Sequence, residues 1–265
     1  MLRDRLVSVG APRVLDTLAS AWFQVEFLGE EHLQSLREQP VMLVMNHTAF
    51  FALEVYLLGN RILRHYPELD LRTLVWKGFT QGPAGVWFRG LGCETASIAR
   101  GRELLAAGKT VLIMPEGVGA TDVRNRLKTF RTGYLRMLEE TPVPIIPIGF
   151  HGVDEAMPWI VARNRFLEER LMKPVDPNFD FVLFPRLPLM RPSKIVFSIG
   201  APITLNSADL ASEERIRRTN MLIRQRVSAL MHEAEYHRSR RIHGSTLNRW
   251  WHRAVEGRTV QLSPR

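Results

Sequence analysis

The chain has 265 residues, of which 45% are hydrophobic, 24% charged and 9% aromatic, with 36 Lys and Arg against 27 Asp and Glu for a formal charge of +9. This ordinary globular composition excludes a disordered chain, a collagen and a coiled-coil rod. At roughly 150 residues per domain the length holds one large domain with appendages or two small ones, and a single α/β domain is the economical reading.

Cys93 is the single cysteine, so neither an intramolecular disulfide nor a cysteine-built zinc site can form, and a cytoplasmic setting is expected. The polar start around Arg3, Asp4 and Arg5 is not followed by the apolar region of a signal peptide. No apolar run reaches the roughly 20 residues that span a bilayer, so the protein is expected to be neither secreted nor membrane-spanning. The charge is uneven. Residues 213–265 carry 12 Arg, no Lys and 5 Glu, a surplus of +7, which leaves only +2 for the first 212 residues.

In chain order, residues 12–28 read as an amphipathic helix running into an extended segment; packing on the core and dipping into a lipid headgroup layer are both open to it. After Pro40, residues 41–46 form a short continuous apolar run, the pattern of a strand buried on both faces of a parallel sheet. Similar runs recur at 73–76, 110–114, 144–150, 179–184 and 195–199. Helical patterns lie between and after them, at 50–65, 83–91, 98–107, 131–140 and 210–236. Alternation of this kind predicts an α/β fold, a mostly parallel central sheet flanked by helices on both faces. The proline-rich stretch 174–192 reads as an excursion or an edge strand. Three parts are expected: an N-terminal helical segment (1–28), the α/β domain (29–205), and a C-terminal helix with a basic tail (206–265).

Several familiar signatures are absent. Gly108-Lys109-Thr110 ends like a phosphate-binding P-loop, but Glu103 stands where its first glycine belongs. His232 and His237 are five apart rather than four, against a zincin site. Neither a G-x-S-x-G elbow nor a G-x-G-x-x-G turn occurs.

Asn46-His47-Thr48 follows the first buried strand, and the carboxyl ends of strands are where α/β sheets place ligands. A second strand ends in Pro115-Glu116-Gly117, followed after a polar loop by Phe130-Arg131-Thr132-Gly133. A third begins Pro142-Val143-Pro144 and runs to Ile148. In order and spacing, these blocks resemble the glycerolipid acyltransferase superfamily, marked by N-H-x-x-x-x-D, a glycine-arginine block, F-P-E-G-T-R-S and P-V-V-P-V. The resemblance covers roughly residues 20–205. Two departures stand out. Ala52 occupies the position of the motif's acid, with Glu54 the nearest carboxylate, and Val118-Gly119-Ala120 replaces Thr-Arg-Ser. The segments 92–97, 149–156 and 187–203 are similar to the branch that includes monoacylglycerol and diacylglycerol acyltransferase relatives.

The resemblance implies transfer of a fatty acyl group from a thioester, acyl-CoA or acyl carrier protein, to a hydroxyl of a glycerolipid, with no other cofactor and no metal. It implies His47 as general base and Glu54 as its supporting acid, with Glu94 a distant second. Glu116 and Gly117 would line the acceptor site, and Arg89, Arg100 and Arg131 would bind anionic groups. Backbone N–H groups near Thr48 or Gly117 would face the oxyanion. Met42, Met45, Phe50, Phe51 and Trp87 would either line an acyl tunnel or pack the core. On one continuous helix, residues 47 and 54 would be about 10 Å apart, so contact requires a turn over residues 48–51 with Glu54 in the first turn of the next helix.

The expected partners are acyl-CoA and membrane lipids, not nucleic acid, and the sequence does not fix an oligomeric state. The expected place is peripheral to the cytoplasmic face of a membrane, with Arg238, Arg240, Arg241, Trp250, Trp251 and Arg253 of the tail as contacts. A solvated tail is the plainer alternative. A catalytically lapsed lipid-binding or scaffold protein of the same fold, motivated by Ala52 and the lost Thr-Arg-Ser, is the second functional reading.

Overall fold

A computed structural model describes residues 22–37, 39–47, 53–66, 68–81, 85–117, 127–156, 159–162, 169–170, 173–174, 182–185 and 192–240. Strand β1 (Phe23–Leu28) leads through a 3₁₀ turn (Glu30–Arg37) to β2 (Met42–Met45) and helix α1 (Leu53–His65). Next come β3 (Leu71–Val75), α2 (Lys77–Gln81), α3 (Gly85–Gly90), β4 (Cys93–Thr95), α4 (Ile98–Ala106) and β5 (Thr110–Ile113). The chain continues through α5 (Gly133–Met137), β6 (Ile145–His151), α6 (Val153–Ala156), β7 (Trp159–Ala162) and β8 (Val182–Pro185) to β9 (Ser193–Ile199) and α7 (Glu213–Arg240).

Seven strands form the central sheet in the order β1-β9-β6-β2-β5-β3-β4, and β7 with β8 makes a separate antiparallel pair. Every neighbouring pair in the central sheet is parallel except β6 with β9. The expected mostly parallel sheet is present. The extended end of the 12–28 segment is β1, paired with β9; residues 12–21, where its helix was expected, lie outside the described residues.

Continuous apolar strands supply both faces of the sheet. Leu43 and Met45 of β2 enter one core with Leu53, Leu57, Leu58 and Ile62 of α1. Met42 and Val44 enter the other with residues of α4, α5 and α7. Met42 and Met45 are therefore core side chains, 0% exposed. Along α7, Ile216, Ile223, Val227, Met231 and Ala234 recur at helical spacing and are buried. The Ser212 hydroxyl accepts the Arg215 N–H at 3.3 Å and caps the helix start.

Pro147 sits inside β6, where a missing donor would normally cost a ladder bond. The interruption is local. Regular pairing of β6 with β9 begins at Ile148↔Ile199, and Pro147 still accepts the Gly200 N–H at 2.9 Å.

Candidate active site

Two adjacent strands define the site. From β2 the chain passes into α1 on one face of the sheet, and from β5 it passes into α5 on the other. Where neighbouring strands send their connections to opposite faces, a crevice opens at their carboxyl ends. His47 follows β2 and Glu116 follows β5, so both stand at this crevice.

His47 Nδ1 lies 2.5 Å from Glu54 Oε1. Glu54 is in the first turn of α1, where the helix dipole favours a carboxylate. Its side chain is fully buried, while the imidazole keeps 20% of its surface exposed. With Nδ1 engaged, Nε2 is the nitrogen left to exchange a proton. Burial disfavours the charged imidazole, but the carboxylates of Glu54, Glu116 and Asp154 outweigh it and raise the pKa above 6.5. Phe50, Phe51, Ala52 and the Thr48 amide lie outside the described residues.

Glu116 is placed beside His47 as the motif implies, and its contacts define what it does there. One oxygen accepts the His47 N–H at 2.8 Å and the other the Lys128 N–H at 2.8 Å. The side chain thereby ties the end of β2 to the loop after β5. Burial raises its pKa, against the pull of these two amides. The Lys128 amide is itself held from α7. Arg224 donates to the carbonyls of Lys128 and Leu127, each at 2.8 Å, and Asn220 donates to the carbonyl of Phe130 at 2.8 Å. Sequence reasoning missed Asn220 and Arg224, since nothing in a polar helix face announces a partner nearly a hundred residues away.

Asn46 fixes the other side of the crevice. Its amide donates to the Phe150 carbonyl at 3.2 Å and accepts the Phe150 N–H at 3.0 Å, continuing the β2–β6 ladder past the end of the strand.

Gly117 has φ 75°, a conformation that favours glycine. A Cβ there would stand 3.0 Å from Arg131 Nε and 3.2 Å from its Cζ. Arg131 is thus brought over the Pro-Glu-Gly turn. It is exposed, and its guanidinium makes no ion pair among the described residues. The Gly117 N–H is spent within the turn, donating to the Met114 carbonyl at 3.2 Å.

The other two arginines are engaged elsewhere. Arg100 pairs with Glu94 at 3.2 Å and with Glu103 at 2.7 Å. Glu94 also pairs with Arg72 and makes no bond to His47. Arg89 donates to the Thr80 carbonyl. Arg238, expected among the lipid-facing cations, is only 15% exposed; it pairs with Glu155 at 3.2 Å and donates to the Lys194 carbonyl. It is part of the fold. Arg241, Trp250, Trp251 and Arg253 lie outside the described residues.

The chain is similar to acyltransferases in sequence and in fold. Residues 24–151 match the family model described as Acyltransferase. A 1-acyl-sn-glycerol-3-phosphate acyltransferase of Chlamydomonas reinhardtii is 25% identical over 142 residues, 52% of this chain and 41% of the algal protein. The crystal structure of the 1-acyl-sn-glycerophosphate acyltransferase PlsC from Thermotoga maritima superposes with a TM-score of 0.56 at 15% identity, covering 88% of this chain and 81% of that one. Residues 24–151 thus match the Acyltransferase family, the chain has the fold of that PlsC structure, and it spans less than half the length of the algal relative.

Proposed function

We propose that the protein is a thioester-dependent O-acyltransferase that acylates a hydroxyl of a glycerolipid. The observation that carries this reading is the contact of His47 Nδ1 with Glu54 Oε1 at 2.5 Å, at the carboxyl end of the central strand. His47 Nε2 takes the proton of the acceptor hydroxyl as its oxygen attacks the thioester carbonyl carbon. The carbon–sulfur bond then breaks, and the imidazolium returns the proton to the departing sulfur. Imidazole suits this task near neutral pH, and a thiol of pKa about 8.5 leaves with little acid assistance.

Glu54 acts through His47. Bonded to Nδ1, its carboxylate fixes the tautomer and stabilises the imidazolium, the division of labour seen in hydrolase triads. Ala52 is then no loss of function, because the acid is supplied two residues later. Glu116 is the positioning group that holds the His47 backbone, and Arg131 is the cation offered to an anionic group of acceptor or donor.

The test is a labelled acyl-CoA assay against a panel of acceptors, including lysophosphatidate, monoacylglycerol and diacylglycerol, with acyl carrier protein as a second donor. A labelled glycerolipid product is expected. Vesicle or lipid binding without turnover for every donor and acceptor would replace this reading with a non-catalytic lipid-binding one.

A further inference from the structure

We propose that α3 and the start of α4 form a docking face for the surface of an anionic phospholipid bilayer, a proposal that rests on a glycerolipid being the acceptor. Val86 is 75% exposed, Trp87 62% and Ile98 38%. Large apolar side chains this exposed and this close in the chain mark an interaction surface. The pieces adjoin. Thr80 and Thr95 share a hydroxyl hydrogen bond at 2.5 Å, which puts the end of α2 at the carboxyl end of β4. A Cβ on Gly85 would fall 2.3 Å from the Thr80 carbonyl oxygen, so α3 starts against the same point. Ile98 follows three residues after Thr95.

This face continues into the active site. A Cβ on Gly133 would lie 3.7 Å from Ile98, which places Ile98 beside the Phe-Arg-Thr-Gly turn. Two residues back, Arg131 covers Gly117, next to the glutamate that holds His47. The outer aromatics are also backed by rings. Trp76 and Phe79 are 5.9 Å apart, Phe79 and Phe88 4.9 Å, and Phe88 and Trp87 5.0 Å.

Charge selects the occupant. From residue 77 to 91 the chain carries Lys77 and Arg89 and no carboxylate. Arg89 donates to a neutral carbonyl and makes no ion pair among the described residues. A symmetric second copy would set these cations against their own counterparts, whereas anionic headgroups complement them. Tryptophan at the rim suits the headgroup layer, where its ring is apolar and its N–H is wet. No helix among the described residues is long and apolar enough to cross a membrane.

The experiment compares the full chain with Val86→Ser/Trp87→Ser and with Arg89→Gln. Each is sedimented with vesicles of phosphatidylcholine alone and of equal parts phosphatidylcholine and phosphatidylglycerol. The wild type should bind the anionic vesicles, less so at high salt. The apolar double variant should lose roughly tenfold or more in partitioning, and Arg89→Gln should lose the preference for anionic lipid. Trp87, at 62% exposed, neither packs the core nor lines an enclosed tunnel, so with a water-soluble short-chain acceptor the double variant should turn over like the wild type. Binding that is unchanged in the double variant overturns the proposal. So does a dimeric wild type that the double variant turns monomeric in light scattering, since the face would then belong to a second copy. If the variants lose binding but no form turns over any acceptor, the docking face stands and the acyltransferase reading falls.

Discussion

His47 and Glu54 are seven residues apart, yet their side chains meet at 2.5 Å, because one ends a strand and the other begins a helix. On a single helix the same pair would be separated by about 10 Å. The start of α1 therefore brings a displaced acid to the imidazole. Glu54→Gln keeps the volume and removes the charge. It should lower kcat by roughly 10²- to 10⁴-fold with little change in KM, measured by steady-state acyl transfer and accompanied by an unchanged circular dichroism spectrum.

The pH dependence follows from the raised pKa of His47. A base must be neutral to accept a proton, so kcat/KM should rise with pH and reach half its plateau above 6.5. Glu54→Gln removes a negative neighbour and should move that midpoint to lower pH. Stability has the opposite sign. A folded-state pKa above the unfolded one adds stability that is fully present below 6.5 and is lost as pH rises through the folded value. Urea melts of the wild type and His47→Gln should therefore differ more at acidic than at alkaline pH.

Gly117→Ala tests the placement of Arg131. An L side chain at φ 75° costs roughly 1–2 kcal/mol, and the new methyl would press on the guanidinium, whose Nε is 3.0 Å away. The variant should show a lowered Tm and a raised KM for whichever substrate presents the anionic group, and Arg131→Gln should reproduce the KM effect alone. Equal KM values in both variants and the wild type would remove Arg131 from substrate binding.

Arg224 acts at a distance. Its two bonds to the carbonyls of Leu127 and Lys128 aim the Lys128 amide at Glu116, and hydrogen bonds from charged donors are worth roughly 1.5–3 kcal/mol each. Arg224→Ala should lower kcat and also shift the acidic limb of the pH profile downward, because a Glu116 that loses an amide donor carries less negative charge beside His47. A purely structural role would lower Tm and leave the pH midpoint in place.

The strands of the central sheet were legible because parallel strands buried on both faces must be continuously apolar, as at Met42–Met45 and Ile145–His151. Two short elements gave no such signal. Cys93–Thr95 spans only three residues, with Glu94 and Thr95 on an edge strand, and α2 is a single turn. The predicted helix 131–140 shrinks to Gly133–Met137. At the site, the motif order points to His47, Glu116 and Gly117, and Glu54, two residues past the position of the motif's acid, lies 2.5 Å from His47 Nδ1. The sequence does not reveal that both Glu116 oxygens accept backbone amides, that Arg100 spends its charge on Glu94 and Glu103, or that α7 holds the 127–130 segment. Those contacts join residues distant in sequence, and side-chain type alone does not fix them.

The most direct measurement is the rate of labelled glycerolipid formation by His47→Ala beside the wild type, at equal concentration and with folding matched by circular dichroism. Loss of roughly 10²- to 10⁴-fold or more is expected of a missing general base. Turnover by His47→Ala at the wild-type rate would contradict the account.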